Sequence, residues 1–412
     1  MKIKILSPFF ILKSNKAVAL LLALFSLTMS IWVATEISYD SNVEYILASR
    51  KLQKLQAYYA AKSGANISLL RIFLFKKAVQ TFASKADIST SSFEPIWSFP
   101  LAWPPSFYLP DKFSKSDKDS FITKEEESFI KAQYTTSISV EDNKIDINDM
   151  ASPSKILSAF SFQQFINIFK LEIENNENFA KKYRDYNFTE LANNFKDWID
   201  KDSESLNGGD EKSFYNKWID KYKLVQDDSE YIPPNQSFKH ISELRMVSGM
   251  NDDFFQLLID KITLFGSKKI NLNHMDIDLL KSFPWATPEV VAAFEEKLSS
   301  QSFVNTEDFQ TFLKEFELQE KVNTSIFSFD SGVNFQITST GIVNNTSYTI
   351  KLITYDLNES KERLSEILFT ERQEEIKKDE EDSQIDKNKE KYKKSNYFIL
   401  NESPVVVHWQ EF

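Results

Sequence analysis

Residues 17–34 form an unbroken apolar run with no charge, no Gly and no Pro, softened only by Ser26, Thr28 and Ser30. A run of that length and composition can cross a bilayer as a helix. Lys2, Lys4, Lys13 and Lys16 precede it and the first acid is Glu36. The excess of lysine predicts a cytoplasmic N-terminus, with everything beyond Glu36 on the far side of the membrane. The run is not followed by a turn, because no Gly or Pro comes after it until Gly64 and helix formers fill residues 47–61. One helix is therefore predicted from Ala17 to about Val79, a membrane stem flowing into a soluble helix.

Residues 84–89 end that pattern. Residues 91–110 place Pro95, Pro100, Pro104, Pro105 and Pro110 among Trp97, Phe99 and Trp103, which predicts an extended, packed loop. Residues 132–146 alternate, with Tyr134, Thr136, Ile138 and Val140 on one face and Asp142 and Asn143 at a turn before Ile145. This pattern predicts a β-hairpin. From Ser152 the period becomes helical, and Ile156, Leu157, Phe160, Phe165, Ile166 and Phe169 form a broad apolar stripe. Interrupted helices continue to about Phe316. Strand patterns return at 334–338, 347–355, 364–370 and 405–409. One sheet is thus expected to be split by a helical insertion spanning residues 151–330. Residues 371–394 are almost wholly Glu, Lys, Asp and Gln. Such density predicts a solvated loop, with a short helix left open by the spacing of Glu374, Lys377 and Lys378.

Charge and composition narrow the chemistry. The net charge of −11, with no basic cluster outside the N-terminal tail, argues against a nucleic-acid partner. Cysteine is absent, which removes disulfides, thiolate metal sites and a Cys nucleophile. Glycine numbers only 7, and none forms a phosphate-binding loop. The three histidines, His240, His274 and His408, are far apart in sequence and lack a flanking catalytic arrangement. No catalytic residue is assigned, and the chain is expected not to be an enzyme.

The insertion holds the densest candidate chemistry. Asp197, Asp200 and Asp202 end a helical pattern, and Glu204, Asp210 and Glu211 surround Gly208 and Gly209. Carboxylates at a helix end and in a glycine turn supply oxygens for a hard cation, with calcium the natural candidate. The spacing is not that of an EF-hand. A solvated helix end remains the other reading of these residues.

Several strings resemble known families. Lys16 and Ala17 followed by Val18, Ala19, Leu20, Leu21 and Leu22 resemble the start of type IV pilin-like proteins, whose leader is cut just before the apolar helix. In that family the residue before the cut is usually Gly; here it is Ala17. Gln56, Ala57, Tyr58, Tyr59, Ala60, Ala61, Lys62, Ser63, Gly64 and Ala65 resemble the pseudopilin helix at this distance. Asp197, Trp198, Ile199 and Asp200, then Gly209 and Glu211 with Tyr215, resemble the minor pseudopilin K of type II secretion systems. So do Ser242 to Met250, residues 144–148 and 269–273, and Val407, His408 and Trp409. These strings occur in order, and the resemblance runs from about Ala17 to Phe412.

The resemblance implies an α+β fold: a long N-terminal transmembrane helix packed on a small antiparallel sheet, interrupted by a large all-α domain with segments similar to sterile-alpha-motif (SAM-like) folds. The implied divisions are a cytoplasmic leader over 1–17, the stem over 18–83, the first part of the α/β body over 84–150, the insertion over 151–330, and returning strands over 331–412 with the charged loop at 371–394. It implies prepilin-peptidase cleavage between Ala17 and Val18. It also implies calcium bound by Asp200, Asp202 and Glu211, with Asp197 a further candidate. Family members usually place another acid directly after the Glu, and Lys212 stands there instead.

Pilin-like subunits usually carry Glu at the fifth mature residue, where it meets the amine of the subunit above. Here that residue is Leu22. An unpartnered carboxylate in lipid is costly, so an apolar residue suits the topmost subunit. A bulky insertion beside the stem points the same way. The expected protein is a noncatalytic, single-pass inner-membrane minor pseudopilin with a periplasmic body. At the pseudopilus tip it would initiate or cap assembly for protein export. The partners implied are other minor pseudopilins and the pseudopilus, the inner-membrane assembly platform and the prepilin peptidase. Two alternatives stand beside it: an anchored periplasmic binding or scaffold protein outside a secretion system, and a helix-hairpin-helix DNA-binding protein suggested by residues 270–288 and 243–249. The second lacks a Gly-rich hairpin at Phe283 to Thr287 and is surrounded by acids.

Overall fold

A computed structural model describes residues 15–83, 90–104, 119, 123, 131–212, 215, 234–382 and 405–412. Helix α1, Asn15–Ala78, forms where the sequence predicts it and runs on into a wider helical turn over Val79–Ala83. Its leading part is fully exposed and is apolar and long enough to span a membrane. Residues 84–89, where the helix was expected to end, lie outside the described residues.

Within 91–110 the chain is not the extended loop expected. It makes a short helix, α2 (Pro95–Ser98), with Pro95 in the first turn where a missing N–H costs nothing, and a strand, β1 (Leu101–Trp103). The buried Trp97 and the Arg71 guanidinium fix this shape. Arg71 donates to the carbonyls of Ile96 at 2.8 Å and Trp97 at 2.9 Å, and also to that of Phe99. Residues 105–110 are outside the described residues.

Strand β2 (Gln133–Val140) is followed by β3 (Ile145–Asp146), α3 (Lys155–Asn175), α4 (Glu177–Tyr183) and α5 (Phe188–Ile199). After it come α6 (Asp252–Leu258), β4 (Ile262–Thr263), β5 (Ile270–Asn271), α7 (Ile277–Leu280), α8 (Pro288–Ser300), α9 (Thr306–Glu315) and β6 (Phe327–Ser328). The chain closes with β7 (Phe335–Val343), β8 (Thr346–Tyr355), α10 (Leu357–Asp382) and β9 (Val405–Glu411). The main sheet has the order β1-β2-β7-β8-β9, with β8 and β9 antiparallel. Because β2 and β7 are neighbours, everything between them is inserted into one sheet, as the alternation pattern predicts.

Two expectations are overturned here. Residues 132–146 are not a hairpin: β3 leaves the main sheet and pairs in parallel with β4, Ile145 opposite Ile262. The turn at Asp142 is pulled inward, because the buried Asp142 carboxylate accepts the backbone N–H groups of Val333 and Asn334 and the Ser267 hydroxyl. Residues 364–370 are not a strand but the middle of α10. Leu364 and Ile367 share a helical face against the core, and Glu371 accepts the Ile156 N–H at 2.6 Å and the Ser154 hydroxyl at 2.5 Å, docking α10 on the start of α3. The charged stretch expected as a loop continues α10 through residue 382, and residues 383–394 lie outside the described residues.

By its contacts the chain forms two compact units, described separately. The first comprises the described residues up to Ala61 with those in Trp103–Tyr134 and Thr340–Tyr348. Its core is small: Ala57, Ala60, Ala132, Tyr134 and Val343, with Trp103 and Tyr348 packed against them. The alanines let helix and strand approach closely, and Gly341 meets the main chain of Ala57 and Ala61 directly. The second comprises Lys62–Ala102, Thr135–Ser339 and Thr349–Phe412. Its core is aromatic, with Phe165, Phe169, Phe195, Phe254, Phe294, Phe303 and Phe309 fully buried. Each inserted helix turns its apolar stripe into this core, and Asn or Ser caps such as Ser154, Asn187 and Asn305 satisfy the orphan N–H groups at the helix starts.

Candidate metal centre

Helix α5 positions the acidic group. Asn187 caps its start by accepting the Glu190 N–H, and Phe188, Leu191, Ala192, Phe195, Trp198 and Ile199 bury one face. Trp198 stacks on Phe238 at 5.6 Å and meets Tyr215 edge-on at 6.0 Å, which fixes the helix end. The helix stops at Asp200, whose backbone turns extended.

A tight turn then folds the chain back. Glu204 bridges Asp210, the Ser205 N–H donates to the Gly209 carbonyl at 3.0 Å, and the Gly208 N–H donates to the Ser205 carbonyl at 2.8 Å. Gly208 and Gly209 have φ of 89° and 95°, a region that L side chains rarely adopt, so glycine is required by backbone conformation rather than by space. Asp197 holds the same turn, accepting the Ser205 hydroxyl at 2.8 Å and the Leu206 N–H at 3.1 Å.

This geometry brings Asp200, Asp202 and Glu211 together, one carboxylate oxygen from each lying within 4.8 Å of the others. Asp197, the further ligand candidate, is not brought into this group; its oxygens face the turn. Glu211 is only 4 % exposed, and among the described residues neither of its carboxylate oxygens, nor Oδ1 of Asp200, meets a hydrogen-bond partner within ordinary bonding distance. Burial, then the charges of Asp197, Asp200 and Asp202, pushes the Glu211 carboxyl up to about 7. Burial, then Asp202 and Asp197, pushes Asp200 up to about 6. Buried oxygens that lack donors, crowded by like charge, are what a divalent cation relieves. The donor set therefore fits a hard cation.

Asn235 was not singled out from sequence. Its amide N–H donates to the Asp202 carbonyl, and its own Oδ1 is buried beside the acids with no partner among the described residues. It lies far along the chain from the acidic string, after a stretch with no pattern of its own, so no local signal marks it. Lys212, standing where the resemblance led us to expect another acid, donates its N–H to Asp210 at 3.0 Å.

The remaining sequence candidates lie elsewhere. Val18 and Leu22 sit one helical turn apart on α1, both exposed, and Ala17 precedes them on the same helix. His240 and His408, distant in sequence, come together with ring centres 5.4 Å apart, while His274 lies against Trp97 and 3.2 Å from Glu94.

Residues 143–266 match the family model described as type II secretion system (T2SS), protein K. The matched segment starts beside β3 and contains α5, the glycine turn and all four acidic candidates. A search of the curated proteins finds no match. Among solved structures, one described as the GspK-GspI-GspJ complex from the enterotoxigenic Escherichia coli type 2 secretion system is similar at 16 % identity and a TM-score of 0.46, covering 76 % of this chain and 95 % of that one. A likeness at that score transfers neither site nor partners. Over the inserted segment, residues 143–266, the chain is similar to protein K of the type II secretion system.

Proposed function

We propose that the protein stands at the tip of the secretion pseudopilus and initiates or caps its assembly, as a structural subunit and not a catalyst. The observation that carries this reading is the protein K match over residues 143–266, a segment inserted bodily between two neighbouring strands of the sheet. So large an insertion into a pilin-type body would hinder addition of a further subunit overhead. The apolar Leu22 supports the same position, because a topmost subunit has no amine above it to neutralise a carboxylate. Residues 151–330 form the inserted domain, its short helices containing the SAM-like segments. Helix α1 anchors the protein in the inner membrane with the body in the periplasm. Its exposed Ile37, Tyr39, Val43, Ile46 and Leu47 offer an apolar face to the stems of other minor pseudopilins. The assembly platform and prepilin peptidase are its further partners.

Processing between Ala17 and Val18 tests this role. An Ala17→Trp variant is expected to remain in the membrane with its leader attached and to lose secretion. Normal secretion by a strain whose protein K retains residues 1–17 would overturn the proposal.

Calcium is proposed to fill the acidic group, held by Asp200, Asp202 and Glu211. The chemistry it supplies is charge neutralisation that closes the 203–211 turn, with no part in bond making. Millimolar calcium is expected to raise the melting temperature of the unmutated protein, and the Asp200→Ala, Asp202→Ala double variant to abolish that rise. No rise in the unmutated protein would sink the metal assignment.

A further inference from the structure

We propose that Asn207 is the positioning residue of the acidic site, and that through Asn194 it couples cation occupancy to the turn at Ser248 and Gly249. This inference rests on the cation reading above. The three carboxylates repel one another, so the turn that carries Glu211 back onto Asp200 and Asp202 needs a clasp from outside the acid group. Asp197 ties the Ser205–Leu206 side of the turn, and Asn207, at its tip, supplies the second clasp. Its Nδ2 donates to the Glu190 carbonyl at 3.0 Å and to Asn194 Oδ1 at 2.8 Å, and its Oδ1 accepts from Asn193 Nδ2 at 2.8 Å. Residues 190, 193 and 194 lie on one face of α5 at spacings of three and four, so a single amide grips one helical turn.

Asn194 is shared between two partners. While its Oδ1 accepts from Asn207, its Nδ2 donates to the Ser248 carbonyl at 3.0 Å. The next carbonyl, that of Gly249, accepts the Tyr186 hydroxyl at 3.0 Å. Gly249 has φ of 82°, and a Cβ there would meet the Tyr186 oxygen at 2.7 Å and Leu191 Cδ1 at 3.3 Å, so this turn has little room to drift. Both ends of the Asn194 amide are committed, and releasing Asn207 frees it to rotate away from Ser248. A cation that closes the acidic turn therefore steadies the 248–249 turn, and by linkage anything that steadies that turn tightens the cation. Arg245 and Met246, exposed just before it, make this a surface whose order tracks the ion.

The test uses the full chain in detergent, with calcium titration and amide hydrogen exchange. In the unmutated protein calcium is expected to slow exchange both in the 203–212 turn and at 247–250. Asn207→Ala, which removes no charge and no proposed ligand, should weaken calcium about tenfold, as the loss of three exposed hydrogen bonds implies, and should erase the protection at 247–250. Asn194→Ala keeps the Glu190 bond, so it should bind calcium more tightly than Asn207→Ala while still losing protection at 247–250. Equal calcium affinity in Asn207→Ala and the unmutated chain, or protection confined to 203–212, would overturn the coupling alone. Failure of the unmutated chain to bind calcium would overturn the cation reading and this inference together.

Discussion

Gly341→Ala is expected to cost the first unit its packing, with a loss of about 3 kcal/mol or more, since overpacking typically costs 1–3 kcal/mol even where neighbours can shift. A Cβ at this position in β7 would lie 2.0 Å from the Ala57 carbonyl oxygen and 2.6 Å from the Ala61 nitrogen. These are main-chain atoms of α1, so no side-chain rotation relieves the contact. The helix would have to lift from the strand, opening the small core of Ala57, Ala60, Ala132, Tyr134 and Val343. Three of these five residues are alanines, so the core has little apolar area with which to resist. The edge-on pair of Tyr58 and Tyr348, 5.2 Å apart, and the Gln53 contact to Thr346 at 3.3 Å would part with it. Thermal unfolding of the variant in detergent, followed by tyrosine fluorescence, checks the prediction. Ala57→Gly should not rescue it, because the clash is with the carbonyl and not the methyl group. A variant that melts with the unmutated protein would mean that α1 does not rest on β7.

Several features of this fold could be read from local pattern. Helix α1 was legible because residues 17–34 exclude every charge and nothing breaks the helix before Gly64. Strands β2, β7, β8 and β9 were legible from their alternation or short apolar runs, and α3 from the stripe of Leu157, Phe165, Ile166 and Phe169. What failed was decided at long range. Leu364, Ile367 and Leu368 fit a strand or a helix equally well over so few residues; the tie is broken by Arg363 and Glu371, whose partners lie far away in sequence. The hairpin at 132–146 failed because Asp142, a plausible turn residue, is instead buried beneath the backbone of Val333 and Asn334.

The acidic site was half legible for the same reason. Gly208 and Gly209 announce a turn, and the resemblance picked out Asp200, Asp202 and Glu211. Which acid faces the group and which ties the turn could not be seen: Asp197 differs from Asp200 only in where the helix ends. Asn235 and Asn207 act through amide contacts that leave no periodic trace.

Arg363→Met is expected to destabilise the second unit by about 3–5 kcal/mol near neutral pH, the usual cost of removing one partner from a buried ionic group. The Arg363 guanidinium is buried on α10. It donates to the Ser267 hydroxyl at 2.6 Å, to Glu359 at 3.2 Å and to Asp330, and lies 3.7 Å from Asp142. Methionine fills a similar volume, so the loss is electrostatic rather than a cavity. Asp142 would suffer most. It is wholly buried, and burial, then the charge of Asp330, already raises its carboxyl to about 6 against the opposing pull of Arg363. A carboxyl whose folded pKa lies above its unfolded value binds a proton on folding, so its contribution is fully present below the unfolded value near 3.8 and is lost as pH rises through about 6. Removing Arg363 takes away the influence that lowers this pKa and moves the upper edge of the window higher. The deficit of the variant should therefore be largest at about pH 8 and should shrink as pH falls toward about 5, where Asp142 can accept a proton and stay buried without charge. Urea unfolding of both proteins at the two pH values reads this difference. An equal deficit at both would mean that Arg363 acts by packing alone and that Asp142 does not depend on its charge. Arg363→Lys separates the same alternatives from the other side: it keeps a cation but loses the planar fork that reaches several partners at once, so it should recover only part of the stability lost at about pH 8.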